Sequence, residues 1–408
     1  MEKYVLIGGS TACYGAIKGI RSVDKDAEIT VICGEKRPLY SRPLISYWLE
    51  GKTSDENLYF AGKDFYCKNK ITALSYKVES LDAADKKVVL ENGEKVPYGK
   101  LLVATGSYPF VPPMNGIDTV KKKGCFYTLE DAENLKKILK KDDRVLIIGA
   151  GLIGLKCAEG IYPTTRNITI VDMQNRVMPN VTTPAVGEII EKHLLSKGIT
   201  LELETSAAEF KGQTAVLKNG KSVDFDILIL AIGVRPNVSL VKDAGGEVNR
   251  GIVVDGHMRT SLPDVYAAGD CAEGTEAVSG TKKLLQLFPS AYNGGLAAGK
   301  NMAGKEAVFD TDVALNSTKL LGLRIISCGS YEGEATEDTS DGYKALFMSD
   351  NKLNGYILVD KVDRAGIYTS LIAKRTDLSN FDKELLIRSP QLLAFDKNVR
   401  KSMLGGEV

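Results

Sequence analysis

The sequence predicts an α/β fold in which two doubly wound domains are followed by a small α+β domain. Three observations carry that prediction. A strand–turn–helix–strand unit occurs twice, each copy is followed by an Asn-Gly hairpin and an apolar strand ending in glycine, and the chain changes character near Asp310.

The first copy opens with an apolar strand at 4–8 and a glycine-bearing turn, then a helix from Ala12 to Arg21. Ala27 to Cys33 form a second strand and close a βαβ unit. The second copy repeats that order over 145–171, ending in the strand Ile168–Val171. The hairpin signals are Asn92-Gly93 and Asn219-Gly220. Asn-Gly suits a two-residue turn because both central residues take positive φ. Apolar strands running to Gly106 and to Gly233 come next. One supersecondary plan repeated in order reads as a duplicated nucleotide-binding domain. The extra length of the first copy lies mostly in Arg37–Lys70. The Pro- and Gly-rich stretch Tyr108–Gly116 is expected to cross between domains, and a second boundary is expected near Pro236–Gly246. Beyond Asp310, short strand-like runs (Leu323–Ser327, Tyr343–Met348, Gly355–Val359) precede a final helical region.

At 408 residues the chain is too long for one ordinary core. With 44% hydrophobic and 26% charged residues it reads as soluble and globular. A formal net charge of +1 argues against nucleic acid or an anionic membrane as a bulk partner. No apolar run reaches the length of a membrane span, and no leader peptide is expected, since the N-terminus enters a strand directly. Seven cysteines, an odd number without a CxxC pair, fit a reduced cytoplasmic setting. Their spacing offers no zinc or iron–sulfur site, so no metal is expected.

The turns carry the chemistry. In the second copy, Gly149 allows a tight bend, Gly151 lets the backbone approach a pyrophosphate, and Gly154 lets helix and strand pack closely. Leu152 and Ile153 open the helix, whose N-terminal N–H groups and dipole favour an anion. Asp172 follows at the end of the next strand, placed to accept hydrogen bonds from an adenosine ribose. An acid there repels a 2′-phosphate, which favours NADH over NADPH, although Arg176 lies close behind. The first turn is degenerate: Gly8, Gly9, Ser10, Thr11, Ala12 and Cys13 put Ser10 and Cys13 where glycines are usual. Glu35, followed by Lys36, stands after the next strand and can hold a second ribose. Taken alone, this copy also reads as a βαβ unit with no ligand. Thr105-Gly106 and Gly269-Asp270 favour the ligand, and two dinucleotides on one chain are how a hydride passes from nicotinamide to flavin.

Over residues 1–310 these motifs resemble the FAD-dependent pyridine-nucleotide disulfide oxidoreductase superfamily, and within it the NADH:rubredoxin reductases, ferredoxin reductases and the flavoprotein part of NAD(P)H nitrite reductases. Pro38–Leu44, with Arg42 and Pro43, resembles the segment lining the flavin. Ala104, Thr105 and Gly106 resemble the family's Ala-Thr-Gly motif, and Thr260–Asp270 the motif whose Asp binds the ribityl and phosphate side of FAD. Leu287, Phe288 and Pro289 look like the helix start beside the flavin pyrimidine, and Val78 would offer its backbone to the adenine. The resemblance implies a Rossmann-like, glutathione-reductase-type arrangement: an FAD domain at 1–110 and 244–309, an NAD domain at 111–243 and a small domain at 310–408. Gly151–Glu159 matches the family's helix pattern, with Glu159 toward the nicotinamide and Lys156 tuning the flavin or steering phosphate. Three residues apart, the two equally suit a helix ion pair worth a few tenths of a kcal/mol. In isolation, Asp270 also suits a helix N-cap and Arg42 a surface ion pair.

The departures shape the expected activity. No CxxxxC pair is present, and Ser41-Arg42-Pro43 stands where related oxidases carry a redox cysteine. Cys13 is expected to be a packing substitute rather than a nucleophile. Tyr47 occupies a position where ferredoxin and rubredoxin reductases usually have Lys, which leaves the acceptor open. His193 and His257 lie outside the motifs. The expected activity is hydride transfer from NADH to FAD, with electrons passed to a small redox protein such as rubredoxin. The alternatives are an NADH oxidase without a redox cysteine, or a redox-sensing flavoprotein scaffold. The C-terminal domain is expected either to pair subunits into a homodimer or to receive the electron carrier.

Overall fold

The computed structural model describes residues 2–310 and 312–391, with single positions at 394, 397 and 400. The last residues of the expected C-terminal domain, 401–408, lie outside the described residues. Two compact units make up the chain. The first holds the chain up to Met178, Glu191–Thr275 and Lys282–Asp310; the second holds Pro179–Ile190, Glu276–Thr281 and the chain from Thr311 on.

Two five-stranded parallel sheets organise the first unit. In one the order is Val265–Ala267, Lys100–Val103, Lys3–Ile7, Glu28–Ile32 and Ile71–Leu74. In the other it is Thr200–Glu202, Ile168–Val171, Val145–Ile148, Ile227–Leu230 and Lys123–Cys125. The central strands are near-continuous apolar runs because both sheet faces are covered; Val145–Ile148 is buried throughout. In both sheets the chain order reverses about the glycine-turn strand. That switch point, at the carboxyl ends of the strands, is where open α/β sheets bind ligands.

The duplication extends to fine detail. Each copy continues into a three-stranded antiparallel meander, Val78–Asp82 to Lys95–Pro97 in one and Ala207–Lys211 to Ser222–Asp224 in the other. The Asn-Gly signals form the second turn of each, with Gly93 and Gly220 at φ 82° and 85°. Both meanders carry an irregularity at the same place, between Val78 and Ser80 and between Ala207 and Glu209. The two crossings of the chain between copies pair with each other: Ser107–Pro109 lies antiparallel to Val234–Pro236.

One packing arrangement had no counterpart in the sequence reading. The helices Thr11–Val23 and Phe288–Met302 meet backbone to backbone. A Cβ on Gly15 or Gly19 would stand 2.2 Å from Tyr292 O or 2.4 Å from Leu296 O, and one on Gly295 or Gly299 would stand 2.1 Å from Ala12 O or Ala16 O. Only residues without a side chain allow that approach.

In the second unit a five-stranded antiparallel sheet runs Leu315–Leu320, Leu323–Gly329, Lys352–Val359, Tyr343–Ser349, Glu334–Asp338. The three expected strand runs form its centre. Its two edge strands are polar and half exposed, and their composition gave no strand signal. Tyr356, Leu346 and Leu358 pack with Tyr368, Leu371 and Ile372 of the helix Ala365–Ala373.

Candidate functional site

Three sequence-distant motifs converge at the carboxyl end of the first sheet. Gly8, at φ 133°, is pressed against the carbonyl of Ala104; a Cβ there would lie 2.2 Å from that oxygen. Gly9 faces Cys33, whose Sγ would stand 2.3 Å from a Cβ. Gly269, at φ 82°, rests on Ala12. Thus the turn at 8–13, Ala104–Gly106 and Gly269-Asp270 form one cradle.

The cradle presents unsatisfied donors. Ser10 sits at the N-cap of the helix Thr11–Val23 but makes no capping side-chain bond. Among the described residues, the buried Thr11 Oγ1 and Arg42 Nη1 have no hydrogen-bond partner. Two buried, unpaired donors beside a helix N-terminus suit an anion, since leaving such groups unsatisfied costs about 1–3 kcal/mol each. Cys13 is fully buried in the core, and burial pushes its thiol upward.

Around this cradle Arg42 forms an ion pair with Glu35, which also accepts the Tyr40 hydroxyl at 2.8 Å. The guanidinium lies 5.4 Å from the Tyr40 ring centroid and 5.2 Å from that of Tyr127. Lys36 and Pro43 are exposed. Val78 begins its strand next to Lys77, whose side chain covers Gly34 beside Glu35. Asp270 accepts hydrogen bonds from Ser107 Oγ at 3.1 Å and Tyr127 Oη at 3.2 Å. Burial raises the Asp270 carboxyl above the usual carboxylate range, while those hydroxyls and Arg42 oppose the shift. The Tyr127 hydroxyl is pushed up to about 12, by burial first and then by Asp270. Leu287, Phe288 and Pro289 form the start of the Phe288–Met302 helix, which also lacks a side-chain cap.

The second turn is built more strictly. Gly149, at φ 116°, packs on the Ala231 carbonyl, and a Cβ on Gly154 would stand 2.0 Å from Gly149 O. Gly151 and Gly233 face open space, which leaves room for a ligand at the backbone. Leu152 and Ile153 are half-buried at the helix start. Asp172 pins this turn, accepting Ala150 N–H at 2.6 Å and Gln174 N–H at 2.8 Å.

The helices Ile45–Leu49 and Leu152–Ile161 join the two cradles. A Cβ on Gly160 would stand 3.1 Å from Ser46 O and 3.4 Å from Leu49 Cβ. Here Lys156 forms an ion pair with the buried Glu159, and its Nζ lies 4.0 Å from the Tyr47 ring centroid. The three residues singled out from the sequence as Glu159, Lys156 and Tyr47 therefore meet. Sequence reasoning missed Ser107 and Tyr127, which reach Asp270 from far along the chain with no local signal. It also missed Glu50 and Lys52, which form an ion pair beside this cluster.

All seven cysteines are free thiols. Burial raises Cys33, Cys125, Cys157, Cys271 and Cys328 as well as Cys13, so these sulfurs are poor nucleophiles. Among the described residues, no helix is long and apolar enough to cross a membrane.

Comparison with known proteins agrees with this geometry. The chain is 32% identical over 398 residues to the NADH-dependent phenylglyoxylate dehydrogenase subunit epsilon of Aromatoleum evansii, covering 92% of this chain and 93% of that one. It is 31% identical to a rubredoxin-NAD(+) reductase of Pseudomonas putida, over 70% of this chain and 76% of that one. Two longer relatives are matched over only 48% and 51% of their own lengths. A chain in the crystal structure of a covalent putidaredoxin reductase–putidaredoxin complex superposes with a TM-score of 0.88, covering 99% of this chain and 98% of that one at 23% identity, which establishes the shared fold. The profile of the family described as pyridine nucleotide-disulphide oxidoreductase matches residues 2–295. The chain belongs to that family of oxidoreductases.

Proposed function

We propose that this enzyme takes a hydride from NADH onto bound FAD and passes the electrons singly to a small redox protein. One observation carries the reading: two glycine turns, one degenerate and one strict, lie at the switch points of two parallel sheets, joined by the helix pair that brings Tyr47, Lys156 and Glu159 together. Flavin and pyridine nucleotide are the cofactors the family implies.

The residues fit FAD on the 1–110 and 244–309 domain. Thr11 and Arg42 would satisfy their orphaned donors on its phosphates, Glu35 would hold the adenosine ribose, and Asp270 would accept from the ribityl chain. The open start of the Phe288–Met302 helix would place N–H groups and positive dipole beside the ring. NADH would bind the 111–243 domain, its pyrophosphate on Gly151–Ile153 and its ribose near Asp172. The preference for NADH rests on the negative charge of Asp172. Bound FAD supplies the hydride-accepting ring and converts a two-electron donor into a one-electron source. Lys156 places a positive charge over Tyr47, where it orients the nicotinamide side against that ring.

High thiol values across six buried or half-buried cysteines favour electrons leaving from the flavin itself, and a reduced cytoplasmic setting suits these free thiols. The rubredoxin reductase relative supports a small carrier as acceptor. The near-full-length match to a dehydrogenase subunit favours a second form of the same reading, in which the partner is held in a larger complex. The test is the visible spectrum of the purified protein, its anaerobic bleaching by NADH against NADPH, and reoxidation by rubredoxin, ferredoxin and oxygen. A colourless chain that takes up no FAD refutes the reading.

A further inference from the structure

The helix pair that joins the two cradles buries more charge than a structural contact needs. Ser46, Leu49 and Glu50 lie one turn apart on one face, and Gly160 abuts Ser46 and Leu49. Lys156, Glu159 and Gly160 share the same spacing on the facing helix. Lys52, the ion-pair partner of Glu50, lies within electrostatic range of Glu159 and Tyr47, so the Glu50–Lys52 pair stands beside the Lys156–Glu159 pair. The Glu50 side chain is only 9% exposed; one oxygen pairs with Lys52, while Oε2 is buried without a hydrogen-bond partner among the described residues. Ser46 Oγ, in the same contact, is also buried and unpartnered. The charged and titratable groups here include Tyr47, Glu50, Lys52, Lys156 and Glu159, with Lys136 over the Trp48 ring on the same short helix.

Exposure is graded along them. Glu159 is 1% exposed and Lys156 13%, whereas Lys52 is 53% exposed. The cluster thus runs from the interior to water. A buried carboxylate oxygen left unpaired is costly, and an apolar side chain would serve packing better. Such a group is retained where it handles protons or a ligand.

The proposed reaction creates that need, and this inference rests on it. Each NADH delivers two electrons and one proton as hydride. Two one-electron acceptors take only the electrons, so NADH and two oxidised carriers give NAD+, two reduced carriers and one proton that must reach water. We propose that Glu159 and Glu50 carry this proton outward through water held at the unpartnered Ser46 Oγ and Glu50 Oε2, with Lys52 marking the exit. Lys156 is the counter-charge beside Glu159.

The experiment uses FAD-loaded protein, NADH, and ferricyanide as the one-electron acceptor, with a pH indicator following proton release. In Glu50→Gln, anaerobic bleaching by NADH persists, while proton release and turnover slow by about tenfold or more. Glu50→Asp restores most of the rate, and a small diffusible acid–base pair such as imidazole rescues Glu50→Gln. A readout independent of turnover is melting of the FAD-free protein: Glu50→Gln melts with wild type, because the lost partner Lys52 is 53% exposed and such a pair stabilises little, whereas a purely structural Glu50 would lower melting. Proton release at the wild-type rate in Glu50→Gln overturns the proposal, as does slowed bleaching that imidazole does not rescue. A wild-type chain that binds no FAD, or is not bleached by NADH, overturns the proposed function as well. A bleachable wild type with an unaltered variant overturns this inference alone.

Discussion

Replacing Gly295 with alanine adds a single methyl group where the helices Thr11–Val23 and Phe288–Met302 meet backbone to backbone. The added Cβ would lie 2.1 Å from Ala12 O, more than an ångström short of the 3.4 Å at which ordinary contact begins, and 2.8 Å from its carbonyl carbon. The obstructing atoms are backbone, so no side-chain rotation relieves the clash and the helices must separate. Overpacking by a methyl group costs about 1–3 kcal/mol, and a backbone obstacle places this case at the upper end, about 3 kcal/mol. At about 2–4 °C per kcal/mol for a domain of this size, melting falls by about 6–12 °C. Ala12 belongs to the Gly8–Cys13 cradle, so FAD retention should weaken in parallel. Calorimetry on the FAD-free protein and flavin fluorescence after gel filtration measure the two effects. The control is Gly366→Ala, also in a helix but with open space at its Cβ, which should melt within about 1 kcal/mol of wild type. A Gly295→Ala protein that melts with the control refutes the packing argument.

Three further outcomes are expected. Arg42→Met removes the buried Nη1 donor assigned to the phosphate together with the ion pair to Glu35, and FAD affinity should fall by about 1.5–3 kcal/mol, measured by titration of the FAD-free protein. Asp172→Ala should lower NADH affinity and narrow the preference over NADPH, but it also frees Ala150 N–H, so both nucleotides should bind worse than a pure charge effect predicts; comparing KM for the two separates these contributions. The Asp270 carboxyl is raised in the folded state, so its burial penalises the ionised form: the stability it contributes is present below the ordinary carboxylate value of about 3.9 and lost as pH rises through its folded value. FAD-free Asp270→Asn should therefore melt above wild type at neutral pH, with the difference vanishing in acid, and equal melting at both pH values refutes the assignment.

Much of the fold was legible because backbone geometry restricts residue type. Gly8, Gly149, Gly93 and Gly220 all take positive φ, and each marks a turn that the sequence identified. The buried runs Val145–Ile148 and Leu101–Val103 were equally plain. The candidate site was legible where its members sit on those turns, as with Gly151, Asp172 and Gly269. Lys156 and Glu159 showed an ion-pair spacing, but nothing local placed Tyr47 beneath them. Tyr127 and Ser107 reach Asp270 across 143 and 163 positions, and the Glu50–Lys52 pair comes beside Glu159 only through tertiary packing. Such contacts leave no periodic trace. The Gly15/Gly19 and Gly295/Gly299 pairs were visible as residues, yet their meaning depends on two helices distant in sequence being neighbours.

The paired crossings between the two copies have a mechanical consequence. Besides the ladder of Ser107–Pro109 with Val234–Pro236, Thr105 Oγ1 donates to Asn237 O at 2.7 Å and Asn237 Nδ2 returns a bond to Thr105 O at 3.0 Å. Arg235 stacks on Phe110 with its guanidinium carbon 4.6 Å from the ring centroid. A single linker permits swivel about any axis, whereas two cross-linked strands behave as a strap hinge. Bending across the strap leaves its hydrogen bonds intact; shear or torsion breaks them. Approach of one nucleotide cradle to the other is thereby confined to one rocking coordinate, and the clasp at Thr105 ties its pivot to the Ala104–Gly106 wall of the first cradle.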